Sequence, residues 1–245
     1  MTWATTFDPT LYELTAEYDG GGIHAGRNVT FGMREIVSEG GRLLVNGRRI
    51  FLRGTLECCV FPLTGTPPIT EDGWLKVFAT ARDWGLNHLR FHSYCPPEAA
   101  FRVADRMGFY LQVELPCWSL NIGRDKAVEL FLRREFDNIV ANYGNHPSLC
   151  LVSCGNELQS DFTVLNSMVC DMKQKDPRHL YSTTTYTFER GHGGHPEPED
   201  QFFVTQRTDS GWVRGQGVFD AERPSFEKDY AASVGTPSVP LISHE

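Results

Sequence analysis

Residues 11–18, LYELTAEY, alternate strictly, with Tyr12, Leu14, Ala16 and Tyr18 on one side and Glu13, Thr15 and Glu17 on the other. A period of two predicts a half-buried strand with one wet face. Gly20, Gly21 and Gly22 interrupt it, and Val29, Phe31 and Met33 resume the alternation. Two such strands cannot bury their apolar face alone. Residues 1–35 therefore read as the trailing strands of an immunoglobulin-like β-sandwich, and residues 36–245 as a second domain. That domain opens on a predicted hairpin, in which Asn46-Gly47 joins RLLV to RRIFLRG and supplies the two positive-φ residues of a tight turn.

The period then changes. Thr70 is placed to cap a helix whose first turn holds Glu71 and Asp72, which suits the helix dipole. Trp74, Val77, Phe78 and Ala81 form its apolar stripe, and Gly85 ends it. A second stripe, Ala100, Val103, Ala104 and Met107, lies between Pro97 and Gly108, a start and a stop in the expected order. A long helix is predicted over 125–143. Strands are predicted at IFLRG (50–54), NHLRFH (87–92), FYLQVEL (109–115), SLCLVSC (148–154), LYSTTTY (180–186), QFFVTQ (201–206) and VPLIS (239–243). Strands separated by helical patterns imply a parallel sheet.

Two α/β architectures compete. A doubly wound nucleotide-binding sheet needs a glycine-rich turn after its first strand, and TLECCVF (55–61) is not one. Polar residues instead gather where strands end: Arg90 and His92, Gln112 and Glu114, Asn156 and Glu157, Gln206 and Arg207, His244 and Glu245. A (β/α)8 TIM barrel builds its site from those ends. The expected fold is such a barrel, with seven strands present and the eighth missing.

Composition narrows the partners. The chain has 245 residues, 40% hydrophobic and 22% charged, with a formal net charge of −8. An acidic surface without a basic run disfavours nucleic acid and anionic membranes, and no apolar run approaches the ~20 residues of a membrane span. The seven cysteines lie mostly in apolar segments, which predicts buried free thiols. Cys150 and Cys154 are not spaced as a redox pair. His192, His195 and Glu197 sit in a Gly/Pro-rich loop without the helical spacing of a zinc motif. No metal and no cofactor are expected.

The densest chemical signal is NHPS (145–148), a strand, then Gly155-Asn156-Glu157. A carboxylate at a strand end in a shielded site, near a second carboxylate, has a raised pKa and serves as a general acid. Glu245, after the last predicted strand, is the candidate partner. Retaining glycosidases hold two such groups ~5–5.5 Å apart.

The sequence resembles glycoside hydrolase family 2 over essentially its whole length. LYELTAEY with FGMREI resembles that family's sandwich-to-barrel junction. NGRRIFLRG, NHLRFH and GFYLQVELPCW resemble barrel strands one to three, NHPSLCLVSCGNE the acid/base segment, and VPLISHE the nucleophile strand. The resemblance implies a retaining exo-β-glycosidase acting on a terminal β-linked sugar of an oligosaccharide or glycoside, with β-galactosidase first and β-glucuronidase or β-mannosidase next. Glu157 would be the acid/base, Glu245 the nucleophile, and Asn156 a ligand to the sugar hydroxyl beside the anomeric carbon. Arg90 and His92 would lie near the nucleophile and the sugar. Trp118 would stack on a sugar face, and Trp212, with Arg214, would belong to a subsite loop. The resemblance also implies missing sandwich strands and a missing eighth barrel strand. Two other readings stand beside it: a non-catalytic fragment that only binds sugar, and a metal-dependent hydrolase on the same barrel, for which only His92 and His244 stand at strand ends.

Overall fold

The structure is a computed structural model, and it describes residues 2–3, 9–214 and 229–244. It opens on an antiparallel hairpin, β1 (Tyr12–Gly20) with β2 (Ile23–Phe31). The predicted alternation is there, but neither face is covered: Leu14, Tyr18 and Ile23 are each more than half exposed. A three-stranded antiparallel sheet follows, β3 (Ile36–Glu39), β4 (Arg42–Val45) and β5 (Arg48–Ile50).

The first parallel strand is β6 (Gly54–Glu57), not the predicted IFLRG. Ile50 is taken by the hairpin, where it pairs with Leu43. Gly54 is where the new strand can begin, because a Cβ there would lie 2.5 Å from the His88 ring. The chain then runs α1 (Glu71–Asp83), β7 (His88–Phe91), α2 (Glu98–Met107), β8 (Tyr110–Glu114), α3 (Lys126–Tyr143), β9 (Leu149–Ser153), α4 (Phe162–Lys175) and β10 (Leu180–Ser182). It continues through β11 (Phe203–Thr205), a short hairpin of β12 (Arg207–Thr208) and β13 (Gly211–Trp212), α5 (Ala231–Val234) and β14 (Leu241–Ser243). Helix α4 falls where the sequence pattern predicts no element. Its signal is present in Asp161, which caps Thr163 and Val164, and in the stripe Phe162, Leu165, Val169 and Met172.

Strands β6 to β10 form one parallel sheet in chain order. Single parallel bridges, Asn156 to Thr185 and Thr185 to Val204, carry the order on to β11, which pairs with β14. Among the described residues β6 and β14 each have one strand neighbour. Strands β7 to β11 are buried on both faces, whereas β6 and β14 are exposed or half-buried. Leu89, Phe91, Leu111 and Val113 join Trp74, Phe78, Phe101 and Phe136 in the main apolar cluster. The alternate residues His88, Arg90, Gln112 and Glu114 are polar and equally buried. A smaller cluster beneath includes Trp3, Ile36, Val45, Tyr110 and Leu151, so a residue from the extreme N-terminus belongs to the core of the sheet region. Trp3 donates its indole N–H to the Asp105 carbonyl.

The thiol expectation divides. Cys117, Cys150 and Cys154 are buried, Cys95 and Cys170 are intermediate, and Cys58 and Cys59 are exposed. The exposed pair lies on the loop just past β6, beyond the sheet's apolar faces. No helix of the described residues is long and apolar enough to cross a membrane.

Candidate active site

Arg90 and Glu114 come from neighbouring strands, and both face away from the helices. Arg90 Nε donates to Glu114 Oε1 at 2.6 Å, with side-chain exposures of 6% and 0%. A buried pair of this kind is retained only when its other lone pairs and protons are also bonded. Here they are. Thr185 Oγ1 donates to Glu114 Oε1 at 2.6 Å, and the Ser93 backbone N–H donates to Oε2 at 2.7 Å. Arg90 Nη2 reaches Thr185 Oγ1 at 2.9 Å and Asn156 Oδ1 at 2.6 Å. Arg90 is thus a partner of Glu114 and an anchor for Asn156.

Asn156 and Glu157 follow β9 on a backbone shaped by Gly155, whose φ is +150° and where a Cβ would lie 2.4 Å from the Cys117 carbonyl oxygen. That carbonyl accepts the Asn156 N–H at 3.0 Å, and Thr185 O accepts the Glu157 N–H at 3.1 Å. Glu157 has φ +50°, a left-handed conformation that costs a non-glycine residue of order 1 kcal/mol. Its side chain is half-buried, and the Trp118 indole N–H donates to Oε2 at 3.3 Å. Trp118 itself is 62% exposed, so its ring stands beside the carboxylate with a face open to solvent.

From the other end of the sheet, His244 Nε2 lies 3.2 Å from Asn156 Oδ1, and Gln206 Nε2 lies 3.3 Å from His244 Nδ1. His244 and Asn156 are each 3% exposed. Burial, aided by the positive charges of Arg90, Arg214 and His92, lowers the His244 pKa to about 3. The imidazole is neutral at any ordinary pH. His92 is half-buried on the turn after β7, its backbone N–H held by the Glu57 carbonyl.

The structure therefore brings Arg90, Asn156, Glu157 and Trp118 into one connected group, with His92 within electrostatic range. Trp212 lies apart on β13, 44% exposed, and its strand pairs with Arg207 and Thr208. Glu245 lies outside the described residues. Thr185 and Ser93 enter the network without having been expected there, and Gln206, noted as a strand-end polar residue, joins through His244. His192 and His195 bind different carboxylates, Glu197 at 2.6 Å and Asp209 at 3.0 Å, and His192 stacks on Phe162. Among the described residues no group of three or more metal-binding side chains converges.

Gln112 is fully buried on β8, and neither atom of its amide has a hydrogen-bond partner among the described residues. It lines an open cleft of about 740 Å³ between the edges of β6 and β14, with Thr55 and Leu56 on one side and Leu241 and Ile242 on the other.

No family model matches the chain. A putative β-glucuronidase of Formosa agariphila is 26% identical over 187 residues, 71% of this chain and 17% of that protein. A β-galactosidase of Halalkalibacterium halodurans is 22% identical over 255 aligned positions, 93% of this chain and 24% of that protein. The crystal structure of Parabacteroides merdae β-glucuronidase superposes with a TM-score of 0.65 at 22% identity, over 74% of this chain and 25% of that one. The fold is shared. This chain is a mixed α/β protein with a parallel sheet like that of the β-glucuronidase structure, and it spans a quarter or less of the length of these curated relatives.

Proposed function

We propose that this chain carries the catalytic carboxylates of a retaining β-glycosidase of glycoside hydrolase family 2. Two curated relatives are named β-glucuronidase and β-galactosidase, which supports a terminal β-linked sugar as substrate. The observation that carries the reading is one hydrogen bond. His244 precedes Glu245 in the chain, Asn156 precedes Glu157, and His244 bonds Asn156 across 88 residues of sequence. The residues that precede the two candidate carboxylates in sequence are thus a bonded pair, which supports a two-carboxylate mechanism. In the double displacement, Glu245 attacks the anomeric carbon while Glu157 protonates the leaving oxygen. Glu157 then takes a proton from water as the glycosyl-enzyme is hydrolysed. Asn156 holds the hydroxyl beside the anomeric carbon, and Trp118 offers its open face to the ring.

The same reading covers the architecture. Seven parallel strands in chain order, with a cleft between the first and the last, support a (β/α)8 barrel whose eighth strand would lie between β6 and β14. A polar side chain on that strand would meet the Gln112 amide. Residues 1–35 then belong to an immunoglobulin-like sandwich that supplies the other layer for the β1–β2 hairpin.

The test uses the full-length protein and paired aryl β-glycosides. Glu157→Ala should lower turnover of a poor leaving group by ~10²–10⁴-fold, the usual worth of general acid catalysis, and leave dinitrophenyl substrates far less affected. Added azide should yield a β-glycosyl azide. Equal loss on both substrates, with no azide product, would remove Glu157 from this role.

A further inference from the structure

Arginine carries N–H groups only and can never accept a hydrogen bond. The Asn156 atom that lies 2.6 Å from Arg90 Nη2 must therefore be the amide oxygen. That single fact orders the rest of the network. The His244 ring nitrogen facing the same oxygen at 3.2 Å must carry its proton, so the neutral imidazole is the Nε2–H tautomer and its Nδ1 is an acceptor. The group 3.3 Å from Nδ1 must then be the donor end of the Gln206 amide. Thr185 Oγ1 also lies near the Asn156 oxygen, at 3.2 Å, but its one proton goes to the Glu114 carboxylate at 2.6 Å. Both lone pairs of the Asn156 oxygen are filled, one by Arg90 and one by His244. Its NH₂ group bonds to no described residue, and this donor end is what Asn156 can offer to a ligand.

We propose that Gln206 and His244 are positioning residues: they lock the Asn156 amide oxygen inward, so that the site reads a hydrogen-bond acceptor, a free hydroxyl, on the sugar carbon beside the bond being broken. The inference rests on the glycosidase reading for its substrate and on this network alone for the lock. Without Gln206, the imidazole is free to take its proton on Nδ1. A bare Nε2 would then face the Asn156 oxygen and repel it, and the amide, held by Arg90 alone, would tilt out of the pose in which its NH₂ meets the sugar.

Kinetics on matched aryl β-glycosides, 2-hydroxy and 2-deoxy, test this in the full-length protein. Gln206→Leu should lower kcat/KM about tenfold on the 2-hydroxy substrate, the worth of one ordinary hydrogen bond, and less than twofold on the 2-deoxy one. A general loss of structure would lower both, so equal losses overturn the proposal. The tautomer is read separately by ¹⁵N–¹H spectra of the histidine rings. Wild-type protein should show His244 as neutral Nε2–H, and Gln206→Leu a mixture. A wild-type His244 protonated on Nδ1, or charged at neutral pH, overturns the lock whatever the kinetics. If no glycoside is turned over but the tautomer shifts as stated, the lock stands and the glycosidase reading fails.

Discussion

The β1–β2 hairpin and the β7–β8 strand pair are both written in a period of two, and they end in opposite states. In the hairpin the apolar set, Leu14, Tyr18 and Ile23, lies mostly in solvent. In β7 and β8 even the polar set, Arg90, Gln112 and Glu114, is buried. Alternation assigns residues to faces; what covers a face is decided by the rest of the chain. The hairpin receives little cover from the described residues, while β7 and β8 have helices on one side and their own charged network on the other. One region is held by its backbone ladder, and the other by a sealed polar interior in which each member depends on its partners.

The sharpest way to break that contrast is at Glu114. Glu114→Ala leaves the Arg90 guanidinium buried without its carboxylate, and breaking a buried pair from one side costs ~3–5 kcal/mol. Denaturant unfolding should show that loss. A change below 1 kcal/mol would mean the interior is wetter than its geometry implies.

Acid should act on the same region next. His88 is buried on β7 and bonded through Nδ1 to the Tyr110 carbonyl at 2.8 Å. Burial, with help from the Arg90 charge, lowers its pKa to about 4. The unfolded chain binds this proton near pH 6.5, so between about pH 6.5 and 4 the unfolded state holds more protons than the folded one. The contribution of His88 is complete above pH 6.5 and falls as the pH drops through that window, by roughly 3 kcal/mol in all. Stability measured against pH should decline more shallowly there in His88→Asn, which keeps a donor for Tyr110 and has nothing to titrate. Parallel curves would remove His88 as the source.

The smallest effect belongs to the hairpin. Leu14 is 57% exposed, and Leu14→Thr keeps strand propensity while removing apolar surface, so the melting curve of this chain should move by no more than ~0.5 kcal/mol. In a full-length protein the same change should cost ~1–2 kcal/mol if the face is covered by a second sheet. Equal effects in both would leave the hairpin without a partner layer.

Much of this was legible in the sequence, for identifiable reasons. Arg90, Glu114, Asn156 and Glu157 could be picked out because polar residues at the ends of apolar strands have no local excuse. Gln206 stands out on the same ground, though with no role attached; Thr185 does not. A threonine in LYSTTTY looks like its neighbours, and its value comes from a glutamate 71 residues away. The start of the first parallel strand was misplaced because Ile50 suits a hairpin and a barrel strand equally, and only the pairing with Leu43 decides. Helix α4 was overlooked although its cap and stripe are ordinary. Its polar positions, Asn166, Ser167 and Gln174, dilute a pattern that Met168 and Met172 complete.

On the proposed role of Glu157 as acid/base, its left-handed backbone sets stability and chemistry against each other at one position. Asparagine or glycine would occupy that conformation more comfortably, so a population drifting under pressure for thermal robustness alone would tend to lose the glutamate. A glutamate that persists there across descendants of this chain would record selection for its carboxylate. The same position offers a ledger that runs the other way: lineages in which Glu157 has become asparagine or glycine should be those that kept the fold and gave up turnover.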